Sequence, residues 1–209
     1  MALIVSMWAT ALSFALSFFV GLKFEVRGQS NLIESKVIYA AKHQSAWDTF
    51  AYFLILKNPS YVLKKELLRI PFWGICARRY KAVIVDRRGG SKALRKMVVD
   101  VRERLNADMP IIIFPEGTRR SLDEESSYQS GVAALYRATD VPVVPVATNS
   151  GFFWGRRSFR KSPGIIVVEF LPAIQSGMNR DAFMEALESR IEAATKKLVE
   201  EENIKLNGK

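Results

Sequence analysis

The chain has one histidine and one cysteine in 209 residues, and these two scarcities exclude much chemistry. A single cysteine rules out an intrachain disulfide, and one residue of each kind makes a zinc site of His and Cys ligands implausible. No metal or other cofactor is expected. Cys76 lies in an apolar run and reads as packing. No Ser sits in a G-x-S-x-G elbow and Cys76 has no His beside it, so nothing points to a covalent enzyme intermediate. Acidic residues are also in deficit, 21 Asp+Glu against 31 Lys+Arg. The formal charge of +10 favours a polyanionic partner: anionic lipid, a phosphorylated small molecule or nucleic acid. No zinc-finger spacing or RNA-binding aromatic signature supports the last, and no nucleic-acid partner is expected. Repeats and low-complexity segments are absent.

Charge is missing altogether from Ala2 to Leu22, which as a helix would span about 31 Å, close to the hydrocarbon thickness of a bilayer. We read residues 1–22 as a hydrophobic membrane-associated segment and residues 23–209 as one further domain. No basic residue precedes the apolar run and no small-x-small cleavage site follows it, which argues against a signal peptide. Ser6, Thr10, Ser13, Ser17 and Gly21 form a stripe of small residues along this helix, suited to packing on another helix or on the protein body. Spanning, half-insertion and monotopic docking all remain open. Lys23 and Arg27 just after the segment favour a cytoplasmic location for the domain that they open.

After Gly28, short β-rich runs alternate with amphipathic stretches. Candidate strands are 37–41, 61–63, 82–85, 111–114, 143–147 and 165–170. Candidate helices are 47–56, 91–105, 131–138 and 181–200, with a frayed tail from Glu201. The alternation predicts an α/β fold, layered, with a largely parallel sheet flanked by helices.

The lone histidine stands in Lys42-His43-Gln44-Ser45-Ala46-Trp47-Asp48, at a corner between a buried strand and an apolar helix. Histidine takes and returns a proton near neutral pH, so His43 is the natural candidate for that work. Five residues along an ideal helix turn through about 500°, leaving two side chains about 140° apart. A His43–Asp48 contact therefore requires His43 and Gln44 in the loop and Asp48 in the first helical turn. In that geometry Asp48 would orient the imidazole as the carboxylate of a catalytic triad does. The plainer alternative is that Ser45-x-x-Asp48 is only a capping box.

Four other stretches carry the remaining polar chemistry. Lys64-Lys65-Glu66 reads as a solvated turn, followed by an apolar bend, Ile70-Pro71-Phe72-Trp73-Gly74, that reads first as ordinary core and second, with helix 47–56, as a wall for a long apolar ligand. Val85-Asp86-Arg87-Arg88 ends a strand in an acid and two arginines, suited to phosphate or to a surface ion pair. Phe114-Pro115-Glu116-Gly117-Thr118-Arg119 is a tight turn exposing a carboxylate, a hydroxyl and a guanidinium. Val141-Pro142-Val143-Val144-Pro145-Val146 has two prolines three apart, as in an edge or terminal strand.

Taken in order, these stretches resemble the four motifs of the glycerolipid acyltransferase family, and most closely the bacterial 1-acyl-sn-glycerol-3-phosphate acyltransferases, over roughly residues 24–172. His43 to Asp48 matches the H-x4-D motif, with Lys42 where Asn is common. Val85-Asp86-Arg87 matches the second motif, although Lys81 or Ala82 stands where a Gly usually precedes it. Phe114 to Arg119 matches the third motif in full, and Val141 to Val146 matches the fourth. The resemblance implies transfer of a fatty acyl group from acyl-CoA or acyl carrier protein to the sn-2 hydroxyl of lysophosphatidic acid, at the cytoplasmic face of a bacterial inner membrane. His43 would be the general base and Asp48 its orienting carboxylate. Arg87 and Arg119 would hold the acceptor phosphate, with Glu116, Gly117 and Thr118 shaping the acceptor pocket and Glu116 serving a hydroxyl or an Arg. Backbone N–H groups near Gly117 or Ser45 are candidate oxyanion donors.

A membrane contact is expected at Phe152, Phe153, Trp154, Arg156 and Arg157, in a stretch that continues through Phe159, Arg160 and Lys161 and interleaves aromatics with basic residues, a pattern suited to anionic lipids; the plainer alternative is aromatics in the core and basic residues in a solvated loop. Arg78, Arg79 and Lys81 form another basic cluster for that surface or for the phosphates of CoA. Two rival readings are an acyltransferase for another lysolipid, such as a lyso-ornithine lipid, and a non-catalytic basic membrane-binding module.

Overall fold

The computed structural model describes residues 2–70, 73–124 and 126–207, so Pro71 and Phe72 of the apolar bend lie outside the described residues. In chain order the elements are helix α1 (Ala2–Val20), strand β1 (Leu22–Arg27), β2 (Ile38–Ala41), α2 (Asp48–Ile55), β3 (Ser60–Lys64), α3 (Trp73–Arg79), β4 (Val83–Val85), α4 (Gly90–Asn106), β5 (Ile111–Ile113), α5 (Ser130–Thr139), β6 (Val143–Thr148), the single turn α6 (Ser150–Phe153), β7 (Gly164–Phe170) and α7 (Arg180–Asn207). The strands form one sheet in the order β1-β7-β6-β2-β5-β3-β4. All neighbours are parallel except β6 and β7.

The strands at the centre are apolar on both faces because both faces are covered. Tyr39, Ile112, Val144 and Val146 face a layer that contains α1 and α2. Ile38, Ala40, Ile111, Ile113 and Val143 pack against α4, α5 and α7, where Phe183, Leu187 and Ile191 are fully buried. The parallel pairings place the carboxyl ends of β2, β3, β4, β5 and β6 along one edge of the sheet, the position where open α/β sheets hold ligands. His43, Lys64, Arg87, Glu116 and Asn149 all follow or end these strands, which is why motifs scattered over a hundred residues meet.

Several details differ from the sequence expectations. The helix ends two residues before the uncharged run does: Gly21, at φ 73°, closes α1 with its N–H on Ser17 O (3.1 Å), and Leu22 already opens β1. That strand was not expected, although Leu22, Phe24 and Val26 alternate with Lys23, Glu25 and Arg27. Strand β6 is interior rather than at an edge, with β2 on one side and β7 on the other. Proline is tolerated there because β7 has ended at Phe170 when it reaches Pro145. The chain bulges through Leu171 to Ile174, and the Leu171 N–H donates to Pro145 O (2.9 Å). The tail from Glu201 is not frayed within the described residues, for α7 runs to Asn207 and Glu201 pairs with Arg27 at 2.8 Å.

Helix α1 lies along the body. Ser6 Oγ donates to Phe53 O (3.4 Å), Trp8 meets Phe50 edge-on at 5.8 Å, and Ala9 and Leu16 are buried. The small-residue stripe runs along the margin of the packed face: Ser6, Ser13 and Ser17 are half-buried, Thr10 is exposed, and Thr10, Ser13 and Ser17 line an open groove over Phe24 and Leu54. The outward face carries Leu3, Ile4, Met7, Phe14, Phe18 and Phe19, all more than half exposed. By length and composition α1 is able to cross a membrane.

Burial pushes the phenols of Tyr39, Tyr52 and Tyr61 above their ordinary value, and that of Tyr80 up to about 12. A raised folded-state value means stability is complete below the unfolded value of about 10 and is lost as pH rises through the folded one. Unfolding midpoints should therefore fall steeply between about pH 10 and 12, with tyrosinate absorbance rising only as the fold melts. Tyrosinate appearing well before unfolding would contradict this reading of the buried phenols.

Candidate active site

The corner between β2 and α2 is organised by one carboxylate. Asp48, 1% exposed at the first turn of α2, accepts on Oδ2 from the backbone N–H groups of Gln44 and Ser45 (2.8 Å each) and faces His43 Nδ1 at 3.1 Å. The contact exists because His43 and Gln44 are in the loop, the condition set by the five-residue spacing. The capping box is half formed: Asp48 reaches back to the Ser45 N–H, whereas Ser45 Oγ accepts from Trp47 N (3.1 Å). The capping and orienting roles are therefore held by the same oxygen. A carboxylate on Nδ1 favours the tautomer protonated there, leaving the Nε2 lone pair for a ligand.

The ring and backbone of His43 are held from the β5 side. Its imidazole stacks on Phe114, with centroids 4.0 Å apart and planes inclined by 15°. Its N–H donates to Glu116 Oε2 (2.9 Å), and its carbonyl accepts from the Arg120 N–H (2.8 Å). The histidine side chain is 12% exposed.

Glu116, expected to serve a hydroxyl or an Arg, has a lysine as its ionic partner. Its side chain is fully buried behind His43, and Oε1 meets Lys42 Nζ at 2.8 Å. Lys42 in turn reaches both carboxylate oxygens of Glu192 on α7 (2.8 Å) and Ser126 Oγ (2.5 Å). Tyr128 donates to Glu192 Oε1 (2.8 Å), completing a buried polar cluster that joins β2, the loop after β5 and α7. Burial pushes the Glu116 carboxyl above its ordinary range, while Lys42 and the His43 N–H pull it down. Among the candidate oxyanion donors, the Ser45 N–H serves Asp48 and the N–H of Gly117 itself donates to Phe114 O (2.9 Å).

Beside the histidine lies a cationic cluster. Gly117 sits at φ 67°, and a Cβ there would fall 2.1 Å from Arg87 Nη2, so the guanidinium of the second motif rests directly on the turn of the third. Thr118 and Arg119 follow on the same turn, half-buried, and Arg119 makes no ion pair among the described residues. The sequence reading of Lys64–Lys65 as a solvated turn holds for Lys65, which pairs with Asp86 at 2.9 Å, and fails for Lys64. Burial first, then the charge of Arg87 and to a smaller degree that of Arg156, push the Lys64 ammonium below its ordinary value against the opposing pull of Glu66. The available signal was that Lys64 ends a strand parallel to β5. Arg156, expected at the membrane contact, is partly buried and paired with Glu124 at 3.1 Å.

The expected membrane contact is also rearranged. Phe153 is buried in the core, and Phe152 and Trp154 pack against the same cluster, because α6 turns these aromatics inward after β6. Arg157 is exposed.

Residues 23–149, which contain all four motifs, match the model of the Acyltransferase family, and the chain belongs to that family. Among curated proteins it is 34% identical over 173 residues to 1-acyl-sn-glycerol-3-phosphate acyltransferase of Pseudomonas aeruginosa, covering 83% of this chain and 67% of the relative. It is 30% identical over 162 residues to the human 1-acyl-sn-glycerol-3-phosphate acyltransferase beta, covering 75% of this chain and 58% of the relative. It thus spans between about half and two thirds of the curated relatives it matches. The crystal structure of the lysophosphatidic acid acyltransferase PlsC of Thermotoga maritima shares the fold, with a TM-score of 0.76 at 20% identity over 94% of this chain and 79% of that one.

The Lys42–Glu116 pair makes a direct stability prediction. Lys42→Met leaves a buried carboxylate without its cation and should cost about 3–5 kcal/mol. Removing the cation also raises the Glu116 value further, so the deficit should be smallest at acid pH and grow as pH rises through the raised value. The double variant Lys42→Met/Glu116→Gln should recover more than half of the loss in denaturant unfolding. A double variant no more stable than Lys42→Met would show that the pair is not what holds this corner.

Proposed function

We propose that the chain transfers a fatty acyl group from a thioester, acyl-CoA or acyl carrier protein, to the sn-2 hydroxyl of lysophosphatidic acid, giving phosphatidic acid for phospholipid synthesis. The observation that carries this reading is the His43 imidazole fixed through Nδ1 to Asp48 beside the cluster of Lys64, Arg87 and Arg156. The names of the relatives support the acceptor.

In this mechanism the cationic cluster, with Arg119, holds the acceptor phosphate and brings its hydroxyl to His43 Nε2. The imidazole takes the hydroxyl proton as the oxygen attacks the thioester carbonyl carbon. Asp48 stabilises the imidazolium that results. When the tetrahedral intermediate collapses, the C–S bond breaks and the imidazolium returns the proton to the departing thiolate. No covalent enzyme intermediate is needed, so donor and acceptor must be bound together.

Helix α1 associates with the membrane that supplies the lipid, its apolar outer face toward the acyl chains and its inner face on the body, in keeping with a domain on the cytoplasmic side of a bacterial inner membrane.

The test is thiol release from long-chain acyl-CoA, and then from acyl carrier protein, with and without lysophosphatidic acid. Release should require the acceptor and fall about 10²–10⁴-fold in a folded His43→Ala variant. Release that ignores the acceptor, or that persists at the wild-type rate in His43→Ala, would refute the mechanism. Arg87→Ala should raise KM for lysophosphatidic acid by about tenfold or more with a smaller change in kcat. An unchanged KM would remove Arg87 from the phosphate site.

A further inference from the structure

The segment Gly155–Pro163, between α6 and β7, holds Phe159 almost wholly in solvent, at 97% exposure. A single exposed apolar side chain needs no explanation by itself. Here the surrounding loop is built to present it. The Trp154 indole N–H donates to Ser158 O (2.9 Å), the Ser158 N–H donates to Gly155 O (3.2 Å), and Ser158 Oγ accepts from the Arg160 N–H (3.0 Å). Lys161 lies over the Trp154 ring at 4.3 Å, and Arg157 takes a left-handed conformation at φ 58° to make the turn. The segment contains no acidic residue, and Arg157 and Arg160 have no ion-pair partner among the described residues.

The base of the loop fixes its height. The Ser162 N–H donates to Phe153 O (2.9 Å), and the Gly164 N–H donates to Gly21 O (3.1 Å), while Pro163 abuts Gly21. Gly21 is where the uncharged helix ends and the first charge, Lys23, follows. Where α1 enters the membrane end-on that residue would stand at the boundary between hydrocarbon and headgroups, and where α1 lies flat it would stand at the same shallow depth as the rest of the helix. Phe18 and Phe19, 71% and 81% exposed, stand just before it. A rigid loop tied to this level, with an aromatic tip between cations, matches the interface of an anionic leaflet: the ring enters the acyl boundary and the guanidinium groups meet lipid phosphates.

We propose that Phe159, flanked by Arg157, Arg160 and Lys161, is a second membrane anchor, inserting into an anionic bilayer beside the end of α1. This inference rests on the membrane association of α1 proposed above. It narrows the contact expected over residues 152–161 to its exposed end, since Phe153 is buried and Phe152 and Trp154 are half-buried against the core, and it sets the orientation of the site by adding a second point of attachment.

Site-directed labelling tests it on the full chain. In a Cys76→Ser background, Phe159→Cys, Phe18→Cys and, on the opposite layer, Lys196→Cys are labelled with an environment-sensitive fluorophore. Each protein is reconstituted into phosphatidylcholine vesicles with and without phosphatidylglycerol. The probe at 159 should shift to the blue and be quenched by spin-labelled lipids in the anionic vesicles, more weakly in neutral ones, while the probe at 196 stays aqueous. Arg157→Glu/Arg160→Glu should lower the quenching at 159 at least severalfold and leave that at 18 intact. A probe at 18 that is quenched while the probe at 159 remains aqueous overturns this proposal and leaves the α1 reading standing. Aqueous probes at both positions overturn both. A response at 159 to acyl carrier protein without vesicles, and none to vesicles, would show the loop to be a protein dock and also overturn it.

Discussion

A single oxygen, Asp48 Oδ2, fixes the corner on which the site depends. It draws the N–H groups of Gln44 and Ser45 and the Nδ1 side of the His43 ring to one point, inside a helix terminus where a carboxylate is favoured by the macrodipole. Two of its three partners are main chain, so the path from β2 into α2 and the placement of the imidazole are one structural event. A neutral amide at this position would accept less strongly and carry no charge to stabilise an imidazolium.

Glu116 does for the other side of the histidine what Asp48 does for its ring. Its carboxylate holds the His43 N–H and is itself neutralised by Lys42, which the Glu192 carboxylate of α7 also contacts. Two buried acids thus address one residue from opposite directions, one at the imidazole and one at the backbone. Phe114 closes the face between them. A buried carboxylate of this kind is strongly destabilising when its partner is removed, which ties the fold of the corner to the presence of Lys42 at a position where the family resemblance leads one to expect Asn.

Much of this was legible in sequence, for identifiable reasons. The parallel α/β order came from strand-length apolar runs alternating with amphipathic ones, and the His43–Asp48 contact from asking what backbone a five-residue spacing allows. The remainder depended on facts that only packing supplies. Glu116 looked available because nothing in the local sequence announces that Lys42 and Glu192 lie behind it. Lys64 looked solvated because its neighbour Lys65 is, yet Lys64 is the last residue of β3 and half-buried, whereas Lys65 already lies in the turn beyond it. Phe153 looked like an interfacial aromatic because the one-turn helix that buries it is too short to show a period. Pro145 looked like an edge residue because its missing hydrogen bond falls at a bulge on the neighbouring chain.

Because His43 is the only histidine, its tautomer can be read without ambiguity. The decisive measurement is ¹⁵N NMR of the histidine-labelled protein in detergent at a pH where the ring is neutral. The expected spectrum has a protonated, pyrrole-like Nδ1 and a bare, pyridine-like Nε2, with that preference lost in Asp48→Asn. A ring protonated on Nε2 in the wild type would contradict the geometry in which Asp48 presents the lone pair of Nε2 to a substrate hydroxyl.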